Sequence, residues 1–218
     1  TGLLLPRLVA IGDVELDEAL GSALAPMGAD AAIAPAIAPA QRLMILTRLV
    51  AQERARVGDA VDIGEAYRLA TALAATLDQL IVERKGPHDL DAIDPGDLSD
   101  HWTRAFQLFH LLAEQWPREL AQRGCIDMAQ RRNLLLDHVA RRWREAPPTS
   151  FVVAAGIVAT APAVAALLRT IASMPRGLVV LPDLDQNLSA EQWDAIGDVT
   201  GAAAGDGLER PAANESHP

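Results

Sequence analysis

The chain has one cysteine (Cys125), one lysine (Lys85) and only 4% aromatic residues. A lone cysteine excludes an internal disulfide, a cysteine-rich metal site and an iron–sulfur cluster. No run approaches the 18 or so uncharged apolar residues a membrane helix needs, and the basic-apolar-small pattern of a signal peptide is absent. The expectation is a soluble, cytoplasmic protein with no membrane contact. Positive charge is also scarce: 19 Lys and Arg face 29 Asp and Glu, a formal charge of -10. That balance disfavours a broad nucleic-acid footprint and leaves room only for a local one. No Gly-x-x-x-x-Gly-Lys-Ser/Thr phosphate loop occurs, and Lys85 stands at an expected helix end instead.

What is present is apolar content, 50% over 218 residues, enough to bury one sizeable core. The opening from Thr1 and the close at Pro218 read as an internal piece of a longer polypeptide. Leu3 to Ile11 is β-capable, with Pro6 favouring an edge position, and Val14 to Pro39 has a weak pattern. Long helical patterns follow. Gln41 to Arg54 carries Leu43, Ile45, Leu46, Leu49 and Val50 on one face. Asp62 with Glu65 forms a capping-box variant, opening a helix that Lys85-Gly86-Pro87 stops. Ser99 or Asp100 caps the next, and Pro117 either kinks it or starts another ending at Gly124. Asp127 opens the last, which Pro147-Pro148 ends.

Phe151 to Ala155 and Leu178 to Leu181 are apolar runs of strand length. Between them Pro162 to Ser173 places Val164, Leu167, Leu168 and Ile171 on one helical face. This strand-helix-strand order predicts parallel pairing within a buried sheet. The predicted fold class is therefore α/β, predominantly helical. A capped helix is expected from Ser189 to Ile196, and 201–218 reads as a flexible tail. Ligands of open parallel sheets sit off the carboxyl ends of the strands, which directs attention to Ala155-Gly156 and to Asp183-Leu184-Asp185-Gln186.

The order strand, helical block, strand-helix-strand resembles the motor fold of superfamily 1 DNA helicases, and more closely the AddB family of bacterial AddAB helicase-nuclease subunits. The matching residues are Leu3-Leu4-Leu5-Pro6-Arg7-Leu8 with Ile11-Gly12-Asp13, His101-Trp102, Trp116-Pro117 and Arg131-Arg132-Asn133-x-Leu135-Leu136. They continue with Ala154-Ala155-Gly156, Leu181-Pro182-x-Leu184-Asp185 and Trp193. The resemblance implies a partial P-loop NTPase-like 1A subdomain over 1–24 and 149–200, interrupted by a helical 1B-like insertion over 25–148. Active relatives end the motif II strand in Asp-Glu, which holds magnesium and orients the attacking water. Here Ala154, Ala155 and Gly156 fall at that position, while Asp183, Asp185 and Gln186 echo the motif III tip. A departure follows, since Ile157-Val158-Ala159-Thr160 stands where AddB-like chains have small hydroxyl and glycine residues.

The resemblance thus implies no catalytic residue, no metal and no cofactor in this piece. Its partners would be an AddA-like helicase-nuclease subunit and DNA, single-stranded in the full complex, in double-strand break repair and recombination. Candidate DNA contacts are Arg7, Arg131, Arg132, Arg141, Arg142 and Thr160. The arginines read alternatively as salt bridges or docking contacts, Asp137 with Arg141 being a helical i,i+4 pair.

Three sharper chemistries compete with plainer ones. Asp183 and Asp185 could hold magnesium for phosphoryl transfer, but a phosphotransferase needs a later lysine and the chain has none. His110 with Glu114 lacks a further ligand. Trp102, Phe106, Phe109 and Trp116 fall at helical intervals, which marks a core stripe rather than a base-stacking strip. The alternative to the AddB-like role is a helical adapter on a degenerate nucleotide-binding sheet, acting only through protein contacts.

Overall fold

The computed structural model describes residues 8, 11, 33–86, 88, 89, 100–158, 161–182, 187–192 and 195. Within them the protein is a predominantly helical α/β chain. Its elements are α1 (Pro39–Arg56), α2 (Ile63–Val82), α3 (Asp100–Gln122), α4 (Met128–Glu145), β1 (Val152–Ala155), α5 (Pro162–Ser173) and β2 (Gly177–Val180). The chain divides into two compact units, Thr1–Leu181 and Pro182–Pro218. In the second, Ser189 and Gln192 exchange reciprocal backbone-to-side-chain bonds of 2.8 and 3.3 Å, the capping geometry expected where Ser189 starts a helix. The β-capable opening apart from Leu8 and Ile11, the Val14 to Pro39 stretch up to residue 32 and the tail 201–218 lie outside the described residues.

Local chemistry sets the helix ends. Pro39 opens α1, where a missing N–H leaves nothing unsatisfied. Asp62 accepts from the Glu65 N–H at 2.8 Å and starts α2. Helix α2 closes with Lys85 N–H donating to the Leu80 carbonyl at 2.8 Å and Arg84 N–H to Ile81 at 3.0 Å. That double closure needs a left-handed residue, and Arg84 supplies it at φ 57° although glycine is the usual occupant. Helix α3 closes the same way, with Gly124 at φ 63°.

The two alternatives for Pro117 resolve in favour of one continuous helix, since α3 runs through it to Gln122. Its missing N–H frees the Ala113 carbonyl from the α-helical ladder. Asp127 precedes α4 and accepts from the Ala129 N–H at 3.3 Å.

The core forms two clusters. Leu46, Leu49 and Val50 of α1 pack with Ala66, Ala70, Leu73 and Leu77 of α2 and with Ala113, Trp116 and Leu120 of α3. Leu136, Val139 and Ala140 of α4 pack with Val164, Leu167 and Ile171 of α5 against Ala154 of β1. Helix α4 packs on α5 and also meets α2, where Asn133 donates to the Ile81 carbonyl at 2.7 Å.

Strands β1 and β2 pair in parallel, Val152 opposite Gly177 through Ala155 opposite Val180, with α5 as the crossover. The crossover is tight at its exit, because a Cβ on Gly177 would lie 1.8 Å from the Ile171 carbonyl oxygen. One sheet face meets α5. The other presents Val153, Leu178 and Val180, each about half exposed, and the flanking Phe151 and Leu181 are exposed too. Parallel strands are ordinarily apolar on both faces because both are covered. No described helix is long and apolar enough to cross a membrane.

Candidate functional site

Ligands of open parallel sheets sit at the carboxyl ends of the strands. Strand β1 ends at Ala155, and Gly156 turns the chain away at φ 69° while donating its N–H to the Val180 carbonyl at 3.1 Å. Open space surrounds its Cα, so backbone angle rather than crowding calls for glycine there. Ala154 is buried and Ala155 exposed. From Ala154 to Val158 no side chain carries a charge or a hydrogen-bonding group. The tip of β1 therefore has nothing to hold a metal ion or move a proton. Asp183, Asp185, Gln186, Thr160 and Arg7 lie outside the described residues, so the second tip and two of the DNA-contact candidates have no structural account.

The remaining arginine candidates separate by role. Arg131 donates to the Ile33 and Ala34 carbonyls at 3.3 and 3.1 Å, and Arg132 to the Ile11 carbonyl at 2.7 Å. These two side chains tie α4 to preceding chain, while Arg132 Nε is buried without a partner. Arg141 is exposed and Arg142 half-buried one residue on. The expected Asp137–Arg141 pair does not form, because Asp137 accepts from Arg84 at the end of α2. Arg141 makes no ion pair among the described residues.

The densest polar constellation was not anticipated. Asp127 is fully buried, and its Oδ2 accepts from Arg42 Nε at 3.0 Å and from Trp116 Nε1 at 2.9 Å. Arg42 turns its other nitrogens to Asp78, 3.0 and 2.8 Å away, and its guanidinium lies 5.9 Å from the Trp116 ring centroid. One arginine thereby joins α1, α2, α3 and the start of α4. Burial pushes the Asp78 carboxyl above its ordinary 3.8 in spite of the Arg42 fork, with the Asp127 charge adding to the rise. Nothing local in the sequence signals this hub: Asp127 reads as a helix cap, Trp116 as a core aromatic, and Arg42 precedes its acceptor by 85 residues.

A cavity of about 570 Å³ adjoins the hub between α2, α3 and α4. Leu77, Leu80 and Trp116 form its apolar wall, with Asn133 and the Arg84–Asp137 pair among its polar groups. A second, apolar concavity of about 770 Å³ lies on α1 and α2, where Met44, Ile63 and Tyr67 are exposed.

The core-stripe reading of Phe106, Phe109 and Trp116 agrees with the packing. Trp116 is 2% exposed, and Phe106 and Phe109 pack against the first core cluster. Cys125 is half-buried, with Sγ 3.7 Å from the Leu120 carbonyl. His110 Nδ1 lies 3.8 Å from Glu114, and no group of three or more His, Cys, Asp or Glu able to hold a metal exists among the described residues.

No family model, curated protein or solved structure matches the chain.

Proposed function

We propose that this chain is the catalytically silent, helicase-like portion of an AddB-type subunit, a partial P-loop NTPase-like 1A sheet carrying a helical 1B-like insertion. Its role is to dock an AddA-like motor subunit and to guide single-stranded DNA during double-strand break repair and recombination. The observation that carries this reading is the parallel strand-helix-strand unit whose first tip, Ala154-Ala155-Gly156, lacks any carboxylate where a motor holds its metal. The uncovered apolar face at Val153, Leu178 and Val180 supports docking, since a parallel sheet calls for cover on that side.

The test is ATP hydrolysis by the purified chain with magnesium and single-stranded DNA. No stimulated turnover is expected; turnover that disappears in an Asp185→Asn variant would overturn the silent-motor reading and favour a magnesium-dependent phosphotransferase. The adapter alternative shares the docking faces and lacks strand binding. A salt titration separates the two, because phosphate contact makes affinity fall steeply with salt.

A further inference from the structure

Charge is unevenly placed along the chain. From Arg141 to Pro182 there are five arginines and a single acid, Glu145, in a protein whose formal charge is -10. Chain connectivity gathers them. Helix α4 leads into β1 through residues 146–151 and α5 leads into β2 through Met174-Pro175-Arg176, so both helix C-termini lie at the amino ends of the two strands. Arg141, Arg142 and Arg144 sit in the last turns of α4, Arg169 near the end of α5, and Arg176 just before β2. This is the end opposite Ala155 and Gly156.

Arg141, Arg144, Arg169 and Arg176 are exposed and form no ion pair among the described residues. Their internal bonds are to carbonyls: Arg144 Nε to Ala140 at 3.2 Å, and Arg176 to Thr149. In the same place Phe151, 79% exposed, precedes β1 with the Arg176 guanidinium 5.8 Å from its ring centroid.

An exposed aromatic ring beside one guanidinium, at an end of the unit where further exposed arginines gather, is the combination that single-strand binders use, the ring stacking a base and the guanidinium groups meeting phosphates. A duplex keeps its bases stacked and offers the ring no face, and an acidic peptide gives the ring no specific role. The acid excess elsewhere on the chain is screened beyond about 10 Å at 0.1 M salt, so the local sign governs contact.

We propose that the amino end of the strand pair binds single-stranded nucleic acid, with Phe151 as the stacking platform and Arg141, Arg144, Arg169 and Arg176 on the phosphates. The proposal rests on the strand-guiding part of the function above and assigns it a place away from the strand tips.

The test is fluorescence anisotropy of a labelled oligothymidylate titrated with the 218-residue chain at several salt concentrations. Phe151→Ala should weaken binding at least about five-fold with the salt slope unchanged, while Phe151→Trp binds normally and reports stacking through quenched fluorescence. Arg169→Ala should reduce the slope of log affinity against log salt by about 0.7. Arg118→Ala, an exposed arginine on α3, should change neither quantity. Circular dichroism of each variant verifies that the fold is intact, as expected for exposed positions. If the wild type binds the oligonucleotide but Phe151→Ala and Arg169→Ala bind equally well, this site is wrong and strand guiding stands. If the wild type does not bind it, both fall. A polyglutamate peptide that competes at equal affinity, indifferent to Phe151→Ala, would make the surface a docking site for acidic protein and overturn the proposal.

Discussion

Replacing Arg42 with methionine tests the buried hub most directly. Methionine keeps much of the stem's volume and removes the guanidinium that Asp127 and Asp78 share. The two acids then fare differently. Asp78 is partly open to solvent, with 37% of its side chain accessible, and can recover water. Asp127 has 0% accessible and retains only Trp116 Nε1 and the Ala129 N–H. Removing one partner of a buried ion pair costs about 3–5 kcal/mol because the other charge stays behind without compensation. Against a total stability of about 5–15 kcal/mol, the variant should unfold at a much lower urea concentration, or not fold at all.

The assay is urea denaturation followed by far-UV circular dichroism, read as a shift in midpoint at constant slope. A second variant guards against trivial failure. Adding Asp127→Asn to Arg42→Met removes the stranded charge while an amide oxygen still faces Trp116, so the double variant should recover at least about 1 kcal/mol relative to Arg42→Met. An Arg42→Met loss below about 1 kcal/mol, or a double variant no better than the single one, would refute the claim that this charge pair holds the helices together.

Because burial raises the Asp78 carboxyl in the folded state, the native protein binds this proton more tightly than the unfolded chain. Stability of the wild type relative to Asp78→Asn should therefore decline as pH rises from below 3.8 through the folded value, measured as melting temperature against pH. An increase over that range would contradict the dominance of burial. Two glycines should answer unequally to alanine in denaturant. Gly177→Ala drives a methyl into the Ile171 carbonyl and should cost at least about 3 kcal/mol, whereas Gly156→Ala meets open space and should cost about 1–2 kcal/mol from its left-handed angle. Asp62→Ala removes the cap on the Glu65 N–H and should cost about 1 kcal/mol, with helix content otherwise intact.

Much of the secondary structure was legible in the sequence because its signals are local. The apolar spacing of Gln41 to Arg54, the Asp62 cap, the Asp127 start and the crossover from Phe151 to Leu181 each lie within a few residues of what they specify. The continuous passage of α3 through Pro117 was not legible, since a proline within a helix is settled by the packing on either side of it. Nor was the loss of the Asp137–Arg141 pair: correct helical spacing could not reveal that Arg84, 53 residues earlier, reaches the same carboxylate.

The sequence by itself determined the periodicities, the caps and the chemical emptiness of Ala154-Ala155-Gly156, all properties of neighbouring residues. Only the tertiary structure decided that Asp127 is a buried charge, that Arg42 binds two acids on different helices, and that Phe151 stands exposed beside Arg176. The reason is physical: the worth of a charge or an aromatic ring depends on solvent access and on partners, and distant segments of chain supply both.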